Sequence, residues 1–581
     1  MDQHEIEKFL RDPRSLLELE KRDPRRAEAL WQGLTPAQRL QAVLAVRGLE
    51  RERLIVLAAD SRELVQALAP DEFASTALEL GPDDAGALIE MCSDQQLTYL
   101  LDLTGWLKER FVPQRYQVWL PLVLEAGAGR LQRWLASTDL EVLGLLMRHW
   151  LRVVKWLPSQ DEQEPPDDLP AFTLDNVYHL ELRDKDAQGF VAQVLVLMKS
   201  ELPELYGQVM ESLLWEEPVE LDEYASRWRR GRLADHGFPD RQEALQLWAA
   251  PASGESDWQQ KAPKQPPAAA AQLHSDANLS LLPEHEQLPA LAAELDGPAR
   301  EALLTELAYV ANCGVAALEA DPAAPEEVAR AARESLGLVN LGLGVLAAGD
   351  QGRARSILAR LSLAALARQG AAALRRLNRR AWALLKEGWL KDLPTGLYVL
   401  DHPLDRWLAG LVFPRPRCFD PKLPAGREYR SFLSLADLAA AETNLSQAEF
   451  WGQLLFELLA IDPRQAAALF NKPFLPADPE EIKLSHLLGT WLARRALGLT
   501  GLEPIPLAQL PAAVAALQEG LAGELAREVE RSLEALTDPA QVRLAQRSLN
   551  GALASLKRDL GRLDPQGELD PRFVGGLVLA R

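Results

Sequence analysis

The sequence predicts an all-α protein: a superhelix of short stacked helices, then a second helical array crossed by a proline-rich irregular strap. Three observations predict it. Helix-start signals recur at short intervals between residues 34 and 96. Elsewhere apolar residues recur three and four positions apart, the spacing of one helix face. Strand-like alternation is confined to VYHLEL (177–182), for which no pairing partner is evident.

The chain opens with charged helical segments broken at Asp12-Pro13 and Asp23-Pro24. LTPAQ (34–38), LAPDE (68–72), LGPDD (80–84) and CSDQQ (92–96) then repeat one pattern. Pro36, Pro70 and Pro82 suit the first helical position, where a missing N–H costs nothing. Thr35, Gly81 and Ser93 are the expected N-caps, with Gln38, Asp84 and Gln96 as their capping-box partners. Ala69 is a poor cap, so that start leans on Pro70 and Glu72. Helices of about two turns cannot hold themselves together and must stack on their neighbours.

The Leu-x-Pro-acidic starts of residues 33–105 resemble the N-terminal cytoplasmic superhelical domain of MgtE-type magnesium transporters. The resemblance implies the superhelix. Transport is not implied, since no membrane span is read in this sequence: its longest apolar stretch, 336–348, is shorter than the roughly 20 residues a bilayer needs.

From 107 to 157 the pattern stays helical and becomes rich in tryptophan, with Trp119, Trp134, Trp150 and Trp156 placed for core packing. The acidic SQDEQEPPDDLP (159–170) is a surface loop, and 186–217 is again helical. The segment 222–248 closes this half. Residues 251–280, rich in Pro, Ala and Gln, form a linker. A helical array over 281–392 includes NLGLGVLAAGDQGRARSIL (340–358), with the Gly-Asp turn of a tetratricopeptide-like hairpin. Six prolines make 393–433 the strap. Ser434 and Asp437 open a helical region within 434–581, and the apolar tail DPRFVGGLVLAR docks. The implied domains are 1–157, 158–250, 281–392 and 434–581, with the linker and strap between them. RLADHGFPDRQEALQLW (232–248) and DPRFVGG (570–576) resemble an uncharacterised family of large all-helical bacterial proteins of unknown function.

Net charge is −21, from 63 basic and 84 acidic residues. That balance argues against general affinity for nucleic acid or anionic membrane. Cys92, Cys313 and Cys418 are too sparse for a metal knuckle and read as reduced thiols of a cytoplasmic protein. Phosphate-loop, dinucleotide, Cys-x-x-Cys and His-Glu-x-x-His patterns are all missing from the sequence. No residue is assigned a catalytic or metal-binding role, and no cofactor is expected.

Two clusters are candidate contact sites. Arg227, Trp228, Arg229, Arg230, Arg232, Asp235 and His236 could grip a carboxylate or phosphate, or could serve as internal ion pairs ahead of a Gly-Phe-Pro turn. Arg375, Arg376, Arg379 and Arg380 repeat at four residues and form one basic face. It could dock an acidic partner or be paired within the chain. Asp401, His402, Asp405, Arg406, Cys418 and Asp420 gather ligand-type side chains in the strap, at spacings that match no zinc site. The expected function is a non-enzymatic scaffold or regulatory adaptor that binds another protein. The alternative is a regulator responsive to an anion or magnesium, and an enzyme of unidentified type ranks third.

Overall fold

The computed structural model describes residues 9–581 except 11, 158–164, 186, 253–257, 262–275, 472–473, 568 and scattered positions between 522 and 537. Most of the expected linker, and part of the acidic loop, lie outside the described residues. The fold is all-α with a few short strands. The chain divides into two compact units. One comprises Met1–Leu343 and Gly349–Arg368, the other Gly344–Ala348 and Gln369–Arg581.

The first unit begins as short helices, three of which start where the sequence places them, at Pro36, Pro70 and Asp94. Thr35 caps Pro36–Leu44: Gln38 N donates to Thr35 Oγ1, and Thr35 N donates back to Gln38 Oε1 at 2.9 Å. Ser93 and Gln96 make the same reciprocal pair ahead of Asp94–Thr104. Gln96 does more than cap. Its Nε2 donates to the carbonyls of Val65 and Leu68, both at 2.8 Å, tying this helix to the preceding turn. Pro70 starts Pro70–Leu80 without a side-chain cap, as expected.

Pro82 does not start a helix. Gly81 ends Pro70–Leu80 at φ +80°, Pro82 lies in a turn, and the next helix is Gly86–Met91. The Gly that looked like a cap is a terminator, because its left-handed backbone favours stopping one helix over starting another.

Arg51 is the polar anchor of this layer. It is 2% exposed, donates Nε to the carbonyls of Val43 and Val46, and places Nη1 on Glu72 Oε2 and Thr76 Oγ1, each at 2.8 Å. Trp31, Trp106, Trp134 and Trp150 are fully buried. Trp119 is also buried, whereas Trp156 is only half-buried.

The expectation of continuous helix over 107–157 is wrong at both ends. Trp106–Leu107 pairs with Arg110–Phe111 in a two-residue-loop hairpin. Leu151–Lys155 is a strand and supplies the partner that VYHLEL lacked, pairing antiparallel with Tyr178–Leu182 in the register Val153↔Leu180. Phe172–Thr173 covers the other edge. The β-branched Val153-Val154 favours a pleated surface, yet three tryptophan-bearing helical turns before it mask the change of period.

Gly297–Leu318, 22 residues long, is the one helix among the described residues long and apolar enough to cross a bilayer, and 56% of that stretch is buried inside the protein. The Gly-Asp turn after Pro325–Ala347 forms as expected, with Gly349 at φ +82° and Asp350 capping Gln351–Leu358. Helices of 23 and 8 residues are too unequal for a tetratricopeptide pair.

In the second unit the strap is more regular than its prolines suggest. It holds a helix, Leu404–Leu411, and an antiparallel pair, Cys418–Phe419 with Tyr429–Arg430. The Ser434–Asp437 capping box opens Leu435–Gly452. The tail docks: Leu579–Ala580 pairs in parallel with Ile505–Pro506, and Val578 N donates to Thr490 Oγ1 at 2.8 Å.

Candidate functional site, a two-chambered cleft in the first unit

The helix Pro218–Asp235 buries Leu221, Ala225, Ser226, Arg229 and Leu233. Positions 221, 225, 229 and 233 are four apart and form one stripe, so Arg229 occupies a core position. Arg227, Trp228 and Arg230 face outwards, and Arg232 is half-buried. The four arginines that look like one cluster in sequence are therefore three different environments.

Arg232 is saturated. It holds both oxygens of Asp102, at 2.7 and 3.0 Å, and Asp139 Oδ2 at 2.7 Å. Burial opposes its charge, but the two carboxylates outweigh burial and raise its pKa further. Burial raises the Asp102 carboxyl, and Arg232 resists that rise.

Arg229 differs. It is 9% exposed, and its Nε donates to the backbone carbonyl of Asp102 at 2.6 Å. Its Cζ sits 5.2 Å from the centre of the Trp106 ring. Among the described residues its two terminal nitrogens have no acceptor. Burial pushes its pKa down to about 10, against the attraction of Asp102. It thus stays protonated at neutral pH, with an incompletely compensated charge.

Arg229 belongs to the wall of a cavity of about 360 Å³, which Trp106, Lys108, Arg230, Phe238 and Val315 also line. Four bases and four acids surround it: Lys108, Arg229, Arg230 and Arg241 against Glu109, Asp240, Glu319 and Asp321. Glu319 is engaged by Lys108 and Arg241, each at 3.3 Å, and Asp321 by Arg115. Among the described residues Arg229 and Arg230 have no carboxylate partner.

Phe238 is placed by the turn that ends the helix. Gly237 adopts φ +74°, its N–H reaches Ala234 O, and Phe238 N donates to Leu233 O at 2.9 Å. This is the Schellman arrangement, with Phe238 set against the last turn. Asn312 Nδ2 donates to Gly237 O at 3.2 Å. His236 does not meet Asp235. It accepts from Gln95 at 3.0 Å and stands edge-on to Tyr99, 5.6 Å between ring centres.

Phe238, Val315 and Pro322 also line a second cavity of about 160 Å³. Here Tyr99, 3% exposed, lies among Asp71, Glu72, Ser75 and Glu79. Its hydroxyl makes no hydrogen bond among the described residues. Glu72 is held by Arg51, and Glu79 by Arg47.

The other sequence candidates are not brought to this cleft. Arg380 turns to Glu449, Glu442 and Ser446 within the second unit. Arg375 is half-buried, and burial lowers its pKa. Arg376 and Arg379 are exposed, so the proposed single basic face is reduced to two residues. In the strap Asp401 accepts from Ser485 N and Oγ, a helix-capping role, while burial pushes the Cys418 thiol up to about 12, away from nucleophilic use. Among the described residues no group of three or more His, Cys, Asp or Glu is placed to hold a metal. Sequence reasoning missed Tyr99, Trp106 and Lys108. No local motif marks them, because the fold gathers them from separate segments.

Residues 28–580 match a family described as a family of unknown function, DUF6178. No curated protein and no solved structure matches the chain, so the resemblance of residues 33–105 to the MgtE domain finds no counterpart there. With the match covering nearly the whole length, the chain belongs to the family of unknown function DUF6178.

Proposed function

We propose that this chain is a ligand-responsive regulatory protein whose cleft takes a small molecule bearing a single carboxylate. One observation carries the reading: a nearly buried arginine, Arg229, lines a cavity and has no carboxylate partner among the described residues. A guanidinium largely removed from water and given only a neutral acceptor keeps part of its desolvation cost. A bound carboxylate would offset that cost through paired, charge-assisted N–H···O bonds. The balanced lining charges favour a monoanion over a phosphate dianion, and Trp106, Phe238 and Val315 supply apolar walls of the kind ligand sites use. Three buried, unpaired cysteines support a reducing, cytoplasmic setting.

The test is thermal unfolding of the full chain against a panel of monocarboxylates and phosphate esters. A saturable rise in Tm with carboxylates, lost in Arg229→Met, is expected. If no carboxylate shifts Tm, the reading fails.

A second reading, an adaptor binding another protein, is favoured by Tyr224 and Trp228. They lie one turn apart on Pro218–Asp235 and are 53% and 55% exposed, beside Arg227. Exposed aromatics with arginine are typical interface anchors. A stoichiometric partner held by the wild type and lost with the double variant Tyr224→Ala, Trp228→Ala would support it. Unchanged co-purification would remove this surface from consideration.

A further inference from the structure

We infer that the helix Pro218–Asp235 is a self-association surface, on which a second copy of this chain packs the same helix in antiparallel orientation. The inference goes beyond the carboxylate reading and does not rest on it. It commits the exposed aromatic face to one occupant.

The buried stripe of this helix leaves an opposite face. Glu220, Glu223, Tyr224, Arg227, Trp228 and Gly231 lie three and four positions apart on it, and all six are exposed. Trp215 and Val219, 77% and 76% exposed, border it at its N-terminal end. Large apolar side chains gathered in one exposed place mark a contact region. Gly231 adds no side chain, so another helix can approach closely there.

The charges are sorted along the helix axis. Glu216, Glu217, Glu220 and Glu223 stand at the N-terminal side, and Arg227 and Arg230 at the C-terminal side. All are exposed, and among the described residues none has an ion-pair partner. A parallel copy would set like charges side by side. An antiparallel copy, centred between Tyr224 and Arg227, sets each acidic half against a basic half and gathers the aromatics of both chains around the axis. A contact about a twofold axis uses the same patch on both copies, so a second copy already carries the matching pattern. Facing opposite charges select that partner and that orientation.

The experiment is sedimentation velocity of the full chain from low to high micromolar, at about 0.15 M salt. There, repulsion between two chains of net charge −21 is screened beyond roughly 8 Å. The wild type is expected to pass from monomer to dimer as concentration rises. Glu220→Arg with Glu223→Arg turns the acidic half basic, and Arg227→Glu, made in a separate chain, turns the basic half acidic. Each should weaken self-association about tenfold or more by setting like charges against each other. Mixing the two variants should restore a dimer with one copy of each, which also shows that both are folded. Tyr224→Ala with Trp228→Ala should stay monomeric. A wild type that remains monomeric throughout, a dimer that neither charge variant weakens, or a mixture as weak as its parts would overturn the proposal. So would a monomer that instead holds a different protein through Tyr224 and Trp228.

Discussion

Asp102 serves two arginines of one helix in two different ways. Its backbone carbonyl accepts from Arg229 Nε at 2.6 Å, and its carboxylate holds Arg232 through two bonds. The carboxylate is therefore spent on Arg232, and Arg229 receives only a neutral acceptor. That division leaves one guanidinium satisfied and its neighbour three residues away available to a ligand.

Replacing the two arginines should have unequal consequences. Arg232→Met strands the Asp102 carboxylate, which is 4% exposed, and should cost about 3–5 kcal/mol. Arg229→Met loses one charge-assisted bond, worth about 1.5–3 kcal/mol, but relieves the burial of an incompletely paired charge. Its net change should stay within about 1 kcal/mol. Urea unfolding of both variants checks the contrast. Equal losses would mean that Arg229 is a structural ion like its neighbour.

The turn that positions Phe238 depends on a left-handed backbone at Gly237. A Cβ there meets nothing within 4 Å, so strain alone decides the outcome. Gly237→Ala should cost about 1–2 kcal/mol, and Gly237→Asn less, because Asn tolerates this conformation. Thermal denaturation of the pair measures the difference, and an equally tolerated Ala would show that the turn can rearrange.

The docked tail passes tightly over Gly489. A Cβ on Gly489 would lie 2.1 Å from the carbonyl oxygen of Gly576, backbone that cannot swing aside. Gly489→Ala should destabilise the second unit by about 1–3 kcal/mol and free residues 574–581 for early proteolysis. A tail protected as in the wild type would contradict this packing.

Acid should weaken the second unit before it reaches the carboxylate range. Burial, with Lys483 nearby, holds the His486 pKa down to about 4, and its Nδ1 accepts from Lys483 N at 3.1 Å. The unfolded chain, with a His pKa near 6.5, binds this proton first. Stability from this group is therefore full above about pH 6.5 and falls as pH drops towards 4. His486→Gln keeps an acceptor at the same helix position, and it should flatten the stability profile in that window. An unchanged slope would exclude His486 as its source.

The helical class was legible because its signals are local. The Thr35 and Ser93 capping boxes, the Pro70 start and the Ser434 box each need only four consecutive residues. Pro82 misled because a glycine before a proline fits a helix end as well as a helix start. The Leu151–Lys155 strand was hidden because its partner lies beyond a loop, and pairing is non-local. The arginine segment was found, but its roles were not separated. The stripe Leu221, Ala225, Arg229, Leu233 could have singled out Arg229 as the inward residue. Nothing local could have added Tyr99 or Trp106, which reach the cleft only through the packing of distant helices. Arg380 shows the converse: its acidic partners on Leu435–Gly452 are about 65 residues away and dissolve a face that spacing alone had drawn.

The most direct test of the carboxylate site is isothermal titration of one monocarboxylate, hexanoate, into the wild-type chain and into Arg229→Met. The account predicts a single saturable site in the wild type and no detectable heat in the variant, with both proteins equally folded. Undiminished binding in Arg229→Met, or none in the wild type, would contradict it.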